Sequence, residues 1–281
     1  MILFPNAKIN LGLNILRRRH DGYHDIESVM VPVGWCDILE IVPATQGRDT
    51  TLTTSGHPVA CPPEKNLVMK AWRALAAECD GMPAASIFLR KIIPDGAGLG
   101  GGSADAAFTL MGLNELFGLG LSTVRLAEIA AGIGADCPFF IHNRPMLATG
   151  TGTTLTPVEP PLEGLCIAIA KPEGKSVSTA EAYAGVRPAG VAVRVAEAAV
   201  MAPDSWHETL HNDFEPSVGA HIPEIYALKQ HMFDAGAFYS AMSGSGSAVF
   251  GLFRSDKMAE NAIAALKDCA CWSGRLMPQA Q

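Results

Sequence analysis

Residues 94–107 read Pro94-Asp-Gly-Ala-Gly-Leu-Gly-Gly-Gly-Ser-Ala-Asp-Ala-Ala107, with five glycines in the seven positions from Gly96 to Gly102, between an apolar stretch of strand character and one of helical character. Glycine has no Cβ, so such a run reaches positive φ and lets a ligand approach the main chain, while the helix that follows adds the positive end of its dipole. A phosphate is the expected guest. The run also fits the dinucleotide pattern GxGxxG at Gly96, Gly98 and Gly101, but that reading needs a parallel strand after the helix and an acidic residue about 20 positions on. Here a helical pattern over 103–117 is followed by Gly118-Leu-Gly120 and a second helical pattern through Leu126, Ile129 and Ala130. The run lacks a Gly-Lys-Ser/Thr ending, which excludes the lysine-tipped P-loop. A glycine loop that only forms a turn is the competing reading.

The chain has 281 residues, 48% of them hydrophobic and 17% charged, enough to bury one large domain or two ordinary ones. Its net charge of −7 gives no general attraction to nucleic acid or to an acidic membrane, so a phosphate must be held locally. Seven scattered cysteines without a C-x-x-C pair predict reduced thiols in a cytoplasmic protein. Pro5, Asn6 and Lys8 interrupt the first apolar stretch and no 18-residue apolar run follows, so neither a signal peptide nor a membrane span is expected.

Over residues 7–16, Ile9, Leu11, Leu13 and Ile15 alternate with Lys8, Asn10, Gly12 and Asn14, the period of a half-buried strand with Lys8 and Asn10 on one face. Asp21-Gly22 is a hairpin signal, and 26–33 and 37–42 read as further strands. Residues 65–78 are helical by spacing, and 85–93 form the strand that delivers the chain into the glycine loop. Around 150–161 the composition turns to Thr, Gly and Pro, which sets the expected domains as 1–155 and 156–281. In the second, 165–170, 238–242 and 248–253 read as strands and 191–201, 223–234 and 256–269 as helices. The class is α+β in two lobes.

Four features have chemical potential. Asp136, in Ile133-Gly-Ala-Asp-Cys-Pro138, precedes a proline suited to a first helical turn, and is either a helix cap or a positioned carboxylate. Lys8 is either a solvated strand residue or a cation aimed at a site. The stretch Ser243-Gly244-Ser245-Gly246-Ser247 is either a plain hairpin loop or a second anion cradle. His207-Glu-Thr-Leu-His211 is a literal HExxH, the pattern of a zinc hydrolase, although Asn212-Asp-Phe-Glu-Pro216 directly after it reads as a helix end. Two glycine loops, one lysine and one aspartate together suit transfer of a phosphoryl group between two substrates.

Pro5-Asn-Ala-Lys-Ile-Asn10, the central loop and Met242-Ser-Gly-Ser-Gly-Ser-Ala248 resemble the GHMP kinase superfamily. Asp21-Gly-Tyr-His24, Gly134-Ala-Asp-Cys-Pro138 and Asn212-Asp-Phe-Glu-Pro216 are similar to the branch that acts on a cytidylyl sugar alcohol. The resemblance implies a two-lobed GHMP kinase fold, with an N-terminal nucleotide-binding lobe like ribosomal protein S5, a ferredoxin-like C-terminal lobe, and the active site in the cleft between them. It implies ATP-dependent phosphorylation of the 2-hydroxyl of 4-diphosphocytidyl-2-C-methyl-D-erythritol in the non-mevalonate route to isoprenoid precursors. In that reading Asp136 is the general base, and Lys8 orients it and stabilises charge near the transferred phosphate. Pro94, Asp95, Gly96, Ala97, Gly98 and Leu99, with Gly100, Gly101, Gly102, Ser103 and Ala104, would hold ATP. Asn10 would face the acceptor, His24 would hydrogen-bond cytosine, and Tyr23 would stack on it opposite Tyr183, with Thr179 nearby. Ser243, Gly244, Ser245 and Gly246 form the second loop. Many relatives have a serine directly after Gly-Leu-Gly, whereas Gly101-Gly102 precede Ser103 here, so Mg²⁺ is expected to be held mainly through nucleotide phosphates and water. The expected partners are small molecules, with neither nucleic acid nor membrane. A mevalonate or homoserine kinase of the same superfamily is the nearest alternative, against which Tyr23-His24 discriminates.

Overall fold

The computed structural model describes residues 1–45, 49–59, 61–186, 188 and 193–276 and is mixed α+β, in line with the sequence. The chain begins with β1 (Ile2–Leu3), β2 (Asn6–Arg18), β3 (His24–Cys36), β4 (Ile38–Pro43), β5 (Thr51–Gly56), α1 (Leu67–Glu78) and β6 (Ala85–Lys91). The glycine loop leads into α2 (Gly101–Leu116), α3 (Thr123–Ala131), α4 (Cys137–His142), β7 (Met146–Gly150) and β8 (Thr154–Pro157). Then come β9 (Cys166–Pro172), α5 (Thr179–Ala184), α6 (Val195–Ala198), α7 (Trp206–Thr209), α8 (Glu215–Gly219) and α9 (Glu224–Asp234). The last elements are β10 (Tyr239–Met242), β11 (Val249–Phe253), α10 (Asp256–Ala264) and β12 (Cys269–Arg275).

These elements form two compact units that are not sequential halves. The first comprises Met1–Ala7, Cys36–Asp95 and Gly100–Asn143. Its sheet runs β1-β4-β6-β5, antiparallel except where β5 lies parallel to β6. Ile87 and Leu89 of β6 are buried while Phe88 and Arg90 face outward, the period-two pattern of a sheet with one covered face. Helix α1 starts at Leu67 because the Asn66 side chain accepts the Val68 N–H, an N-cap that satisfies one orphan donor. It packs on α2, which packs on β4. At Gly112 of α2 a Cβ would lie 2.5 Å from Leu3 Cδ1 and 3.0 Å from Ile41 Cδ1, so a larger residue there would force those side-chain ends to shift.

The second unit comprises Lys8–Trp35, Gly96–Leu99 and the chain from Arg144 onward. It holds a β2-β3-β7-β8 sheet and an antiparallel β10-β11-β9-β12 sheet. One apolar cluster joins Leu13, Ile15 and Ile26 of the first sheet to Ala168, Val249 and Phe253 of the second, with Ile225 and Met232 of α9 and Ala259 and Ala262 of α10. Its burial is the main drive for folding this unit.

The structure corrects several expectations from the sequence. Residues 51–56 carry no apolar alternation yet form β5, because pairing with β6 satisfies their backbone while their side chains stay largely exposed. The Thr/Gly/Pro stretch at 150–161 contains β8, which pairs with β7, itself paired with β3. The last helix stops at Ala264, and Cys269–Arg275 pairs with β9 instead. The helix expected over 191–201 is the single turn α6, fixed at its start by Glu27, which accepts the Val195 N–H and pairs with Arg194; residues 191 and 192 lie outside the described residues.

Candidate active site

In the second unit the segment Gly96–Leu99 is bonded to β2 and to the loop between β10 and β11. The carbonyl of Ala97 accepts the Ala248 N–H at 3.0 Å and that of Leu99 accepts the Lys8 N–H at 2.9 Å. The carbonyl of Gly98 accepts both Lys8 Nζ at 2.8 Å and Ser243 Oγ at 2.9 Å. In a trans peptide the next N–H points opposite to the carbonyl. The Gly98 N–H is therefore turned away from Ala248, that of Leu99 from Lys8 Nζ and Ser243, and that of Gly100 from the Lys8 main chain, an arrangement that suits an anion. Gly96, Gly98 and Gly100 have φ of 60°, 74° and 72°, and a Cβ at Gly98 would sit 2.0 Å from the Ser243 carbonyl oxygen. Gly98 thus serves backbone conformation and close approach alike.

The second loop, read from sequence as a hairpin or a cradle, does connect β10 and β11: Ser243 N–H donates to the Ala248 carbonyl. It is also built against the first loop. Ser243 Oγ reaches Gly98, and a Cβ on Gly244 would lie 3.0 Å from the Gly98 carbonyl oxygen. Asn212 fixes its shape, donating Nδ2 to the carbonyls of Met242 and Gly244 while its Oδ1 accepts the Phe214 N–H. Sequence reasoning quoted Asn212 in a motif but gave it no task. The signal was present, since a buried amide in a turn needs partners for both ends.

Lys8 is not a solvated strand residue: it is 3% exposed. Besides Gly98, its Nζ donates to Asn10 Oδ1 at 2.6 Å; Asn10 Nδ2 donates to Ser28 Oγ, which donates to the Gly12 carbonyl. The shared face expected from the strand period is therefore a hydrogen-bonded chain, and Asn10, 2% exposed, acts first on Lys8. A buried ammonium is costly unless its donors are met, and these bonds meet two of them.

Asp136 belongs to the first unit and precedes α4, with Pro138 in that helix's first turn. Its carboxylate makes no cap hydrogen bond to the helix, so the cap reading does not describe it. Cys137 beside it is fully buried; burial first, then the charge of Asp136, pushes its thiol up to about 11, which keeps it protonated and unreactive at neutral pH.

His24 opens β3, and its ring lies face to face with Tyr183 of α5, centroids 4.7 Å apart and planes at 19°. Tyr183 in turn meets Phe214 edge-on. Tyr23 sits on the hairpin end, 66% exposed. Burial, then the charge of Arg18, lowers the His24 pKa, so its imidazole is neutral at pH 7 and offers one donor and one acceptor. Thr179 Oγ1 is 3.4 Å from Ser245 Oγ, which links α5 to the second loop.

The HExxH does not form a metal helix. Helix α7 ends at Thr209, which leaves His211 outside it with its carbonyl accepting the Leu13 N–H, and the His207 ring packs edge-on against Phe233. Among the described residues no group of three His, Cys, Asp or Glu is gathered for a metal. No helix among them is long and apolar enough to cross a membrane.

Models of the GHMP kinase N-terminal domain and of the GHMP kinase C-terminal domain match residues 66–144 and 195–270. The 4-diphosphocytidyl-2-C-methyl-D-erythritol kinase of Parabacteroides distasonis is 47% identical, over 98% of this chain and 100% of its own. The kinase of the same name from Porphyromonas gingivalis is 46% identical, over 97% of this chain and 98% of its own. A crystal structure of 4-(cytidine 5'-diphospho)-2C-methyl-D-erythritol kinase superposes with a TM-score of 0.82 at 32% identity, covering 98% of each chain. Homoserine kinase from Cytophaga hutchinsonii, at a TM-score of 0.72 and 18% identity over 96% of this chain and 94% of its own, shares the fold. With its sequence matched end to end at nearly half identity, this chain belongs to the 4-diphosphocytidyl-2-C-methyl-D-erythritol kinase family of the GHMP kinases.

Proposed function

We propose that the chain transfers the γ-phosphoryl group of ATP to the 2-hydroxyl of 4-diphosphocytidyl-2-C-methyl-D-erythritol, giving the 2-phosphate and ADP in the non-mevalonate route to isoprenoid precursors. The observation that carries this reading beyond family membership is Lys8, a buried cation tied to the carbonyl of Gly98 within the glycine loop. Asp136 takes the proton of the 2-hydroxyl as its oxygen attacks the γ-phosphorus and the bond to the β,γ-bridging oxygen breaks. Lys8 offsets charge on the transferring group, where alignment and charge stabilisation supply most of the catalysis. Residues 94–104 hold the phosphate chain. His24 reads the cytosine edge through its neutral imidazole, and Tyr183, Tyr23 and Thr179 border the base. Mg²⁺ would be held through nucleotide phosphates and water and would neutralise phosphate charge. The thiols of Cys137, Cys166 and Cys271, each pushed up to about 11 chiefly by burial, stay protonated at neutral pH. Product analysis tests the reading: ³¹P NMR of a reaction with ATP and the cytidylyl substrate should show a new phosphomonoester beside the intact diphosphate. A product phosphorylated at any other hydroxyl would reject it.

A further inference from the structure

Beneath the start of α2 the first unit buries three ionisable side chains that the proposed reaction does not use. Asp37 is fully buried, Lys91 is 5% exposed and Asp105 is 2% exposed. Lys91 Nζ donates to Asp37 Oδ2 and, at 2.7 Å, to Asp105 Oδ2. Asp37 Oδ1 accepts the N–H groups of Ile92 and Ile93, at 2.5 and 2.9 Å. Ile92 and Ile93 carry the chain from β6 into the glycine loop, and Asp105 sits on the helix that carries it out. A Cβ on Gly101, the first residue of α2, would lie 3.2 Å from Lys91 Nζ, which places the ammonium directly under the loop's exit.

We infer that Asp37, Lys91 and Asp105 are positioning residues for the nucleotide, a charged brace that ties both ends of the glycine loop together so that the phosphates meet a preformed cradle. The inference rests on the proposed ATP-binding role of residues 94–104. Two physical effects favour it. A loop held at both ends loses less conformational freedom when it closes on a ligand, and preorganisation of this kind is gained directly as affinity. The ammonium also screens two carboxylates that would otherwise repel an anion at the helix N-terminus. Hydrophobic side chains would fill the volume at lower desolvation cost, so a buried charged chain at this place is suited to fixing geometry more than to adding stability.

The test is ADP affinity by calorimetry, without acceptor, for Asp105→Ala and Asp105→Asn. Asp105→Ala cuts the tie to α2 and should weaken ADP at least tenfold, whereas Asp105→Asn keeps an oxygen for Lys91 and should stay within about threefold of wild type. A folded Asp105→Ala protein with wild-type affinity would overturn the brace, and so would an Asp105→Asn protein as weak as the alanine variant. Should Asp105→Ala not fold, hydrogen exchange on the ligand-free wild-type chain decides. The brace requires the Ile92 and Ile93 amides to be as protected as those in the middle of β6, and exchange at loop rates refutes it. Wild-type protein that fails to bind ADP would refute the kinase reading instead, leaving the exchange result to judge the brace.

Discussion

Replacing Gly98 by alanine tests whether the two glycine loops are locked together. The added Cβ would meet the Ser243 carbonyl oxygen at 2.0 Å and the Gly246 nitrogen at 3.0 Å, so a backbone must move by more than 1 Å. The same residue has φ of 74°, which costs a non-glycine residue about 1–2 kcal/mol. Separating the loops breaks the hydrogen bonds from Lys8 Nζ and Ser243 Oγ to the Gly98 carbonyl. A bond from a charged donor contributes about 1.5–3 kcal/mol and one from a neutral donor about 0.5–1.5 kcal/mol. Together these place the loss near ~3–6 kcal/mol. Gly22→Ala is the control, since Gly22 has φ of 88° but nothing within 4 Å of its Cβ position, so only the conformational cost of about 1–2 kcal/mol applies. Equilibrium urea unfolding, followed by fluorescence of Trp35, Trp206 and Trp272 in the second unit, measures both variants. Equal losses for Gly98→Ala and Gly22→Ala would refute the interlocked loops.

Asp136→Asn should leave ADP affinity near wild type and lower kcat by about 10²–10⁴, the usual loss of a positioned base; unchanged steady-state turnover rejects the role. His24→Ala should raise KM for the cytidylyl substrate with kcat little altered, as removal of uniform binding does, and an unchanged KM counts against cytosine recognition. For Asp105, burial first and then the charge of Asp37 raise the carboxyl to about 7, against the pull of Lys91. A raised folded pKa stabilises the protein fully below the unfolded value near 4 and is lost as pH rises through about 7. Thermal scans from pH 5 to 8 should therefore show wild type losing stability relative to Asp105→Asn, and parallel curves would contradict this.

The glycine loop, the Lys8 strand, the helix after the loop and the hairpin around residues 243–247 were legible because each has a local signature: glycine density, alternation, or helical spacing. The Asp37–Lys91–Asp105 chain was not, since its members are 54 and 14 residues apart and no local pattern marks a charge destined for burial. Strand β5 escaped for a related reason, as its pairing with β6 is non-local and its side chains are mostly exposed. Lys8 was ambiguous on sequence because alternation fixes a face but not what covers it, and the carbonyl of Gly98 arrives from 90 residues away. HExxH misleads in the opposite sense: the letters fit a helix that ends at Thr209, before the second histidine.

The central claim is acceptor identity, and the most direct measurement is the rate of ADP release with ATP and, separately, 4-diphosphocytidyl-2-C-methyl-D-erythritol, mevalonate and homoserine. Release with the first alone is the expected result. No release with it, or faster release with either of the others, would contradict the account.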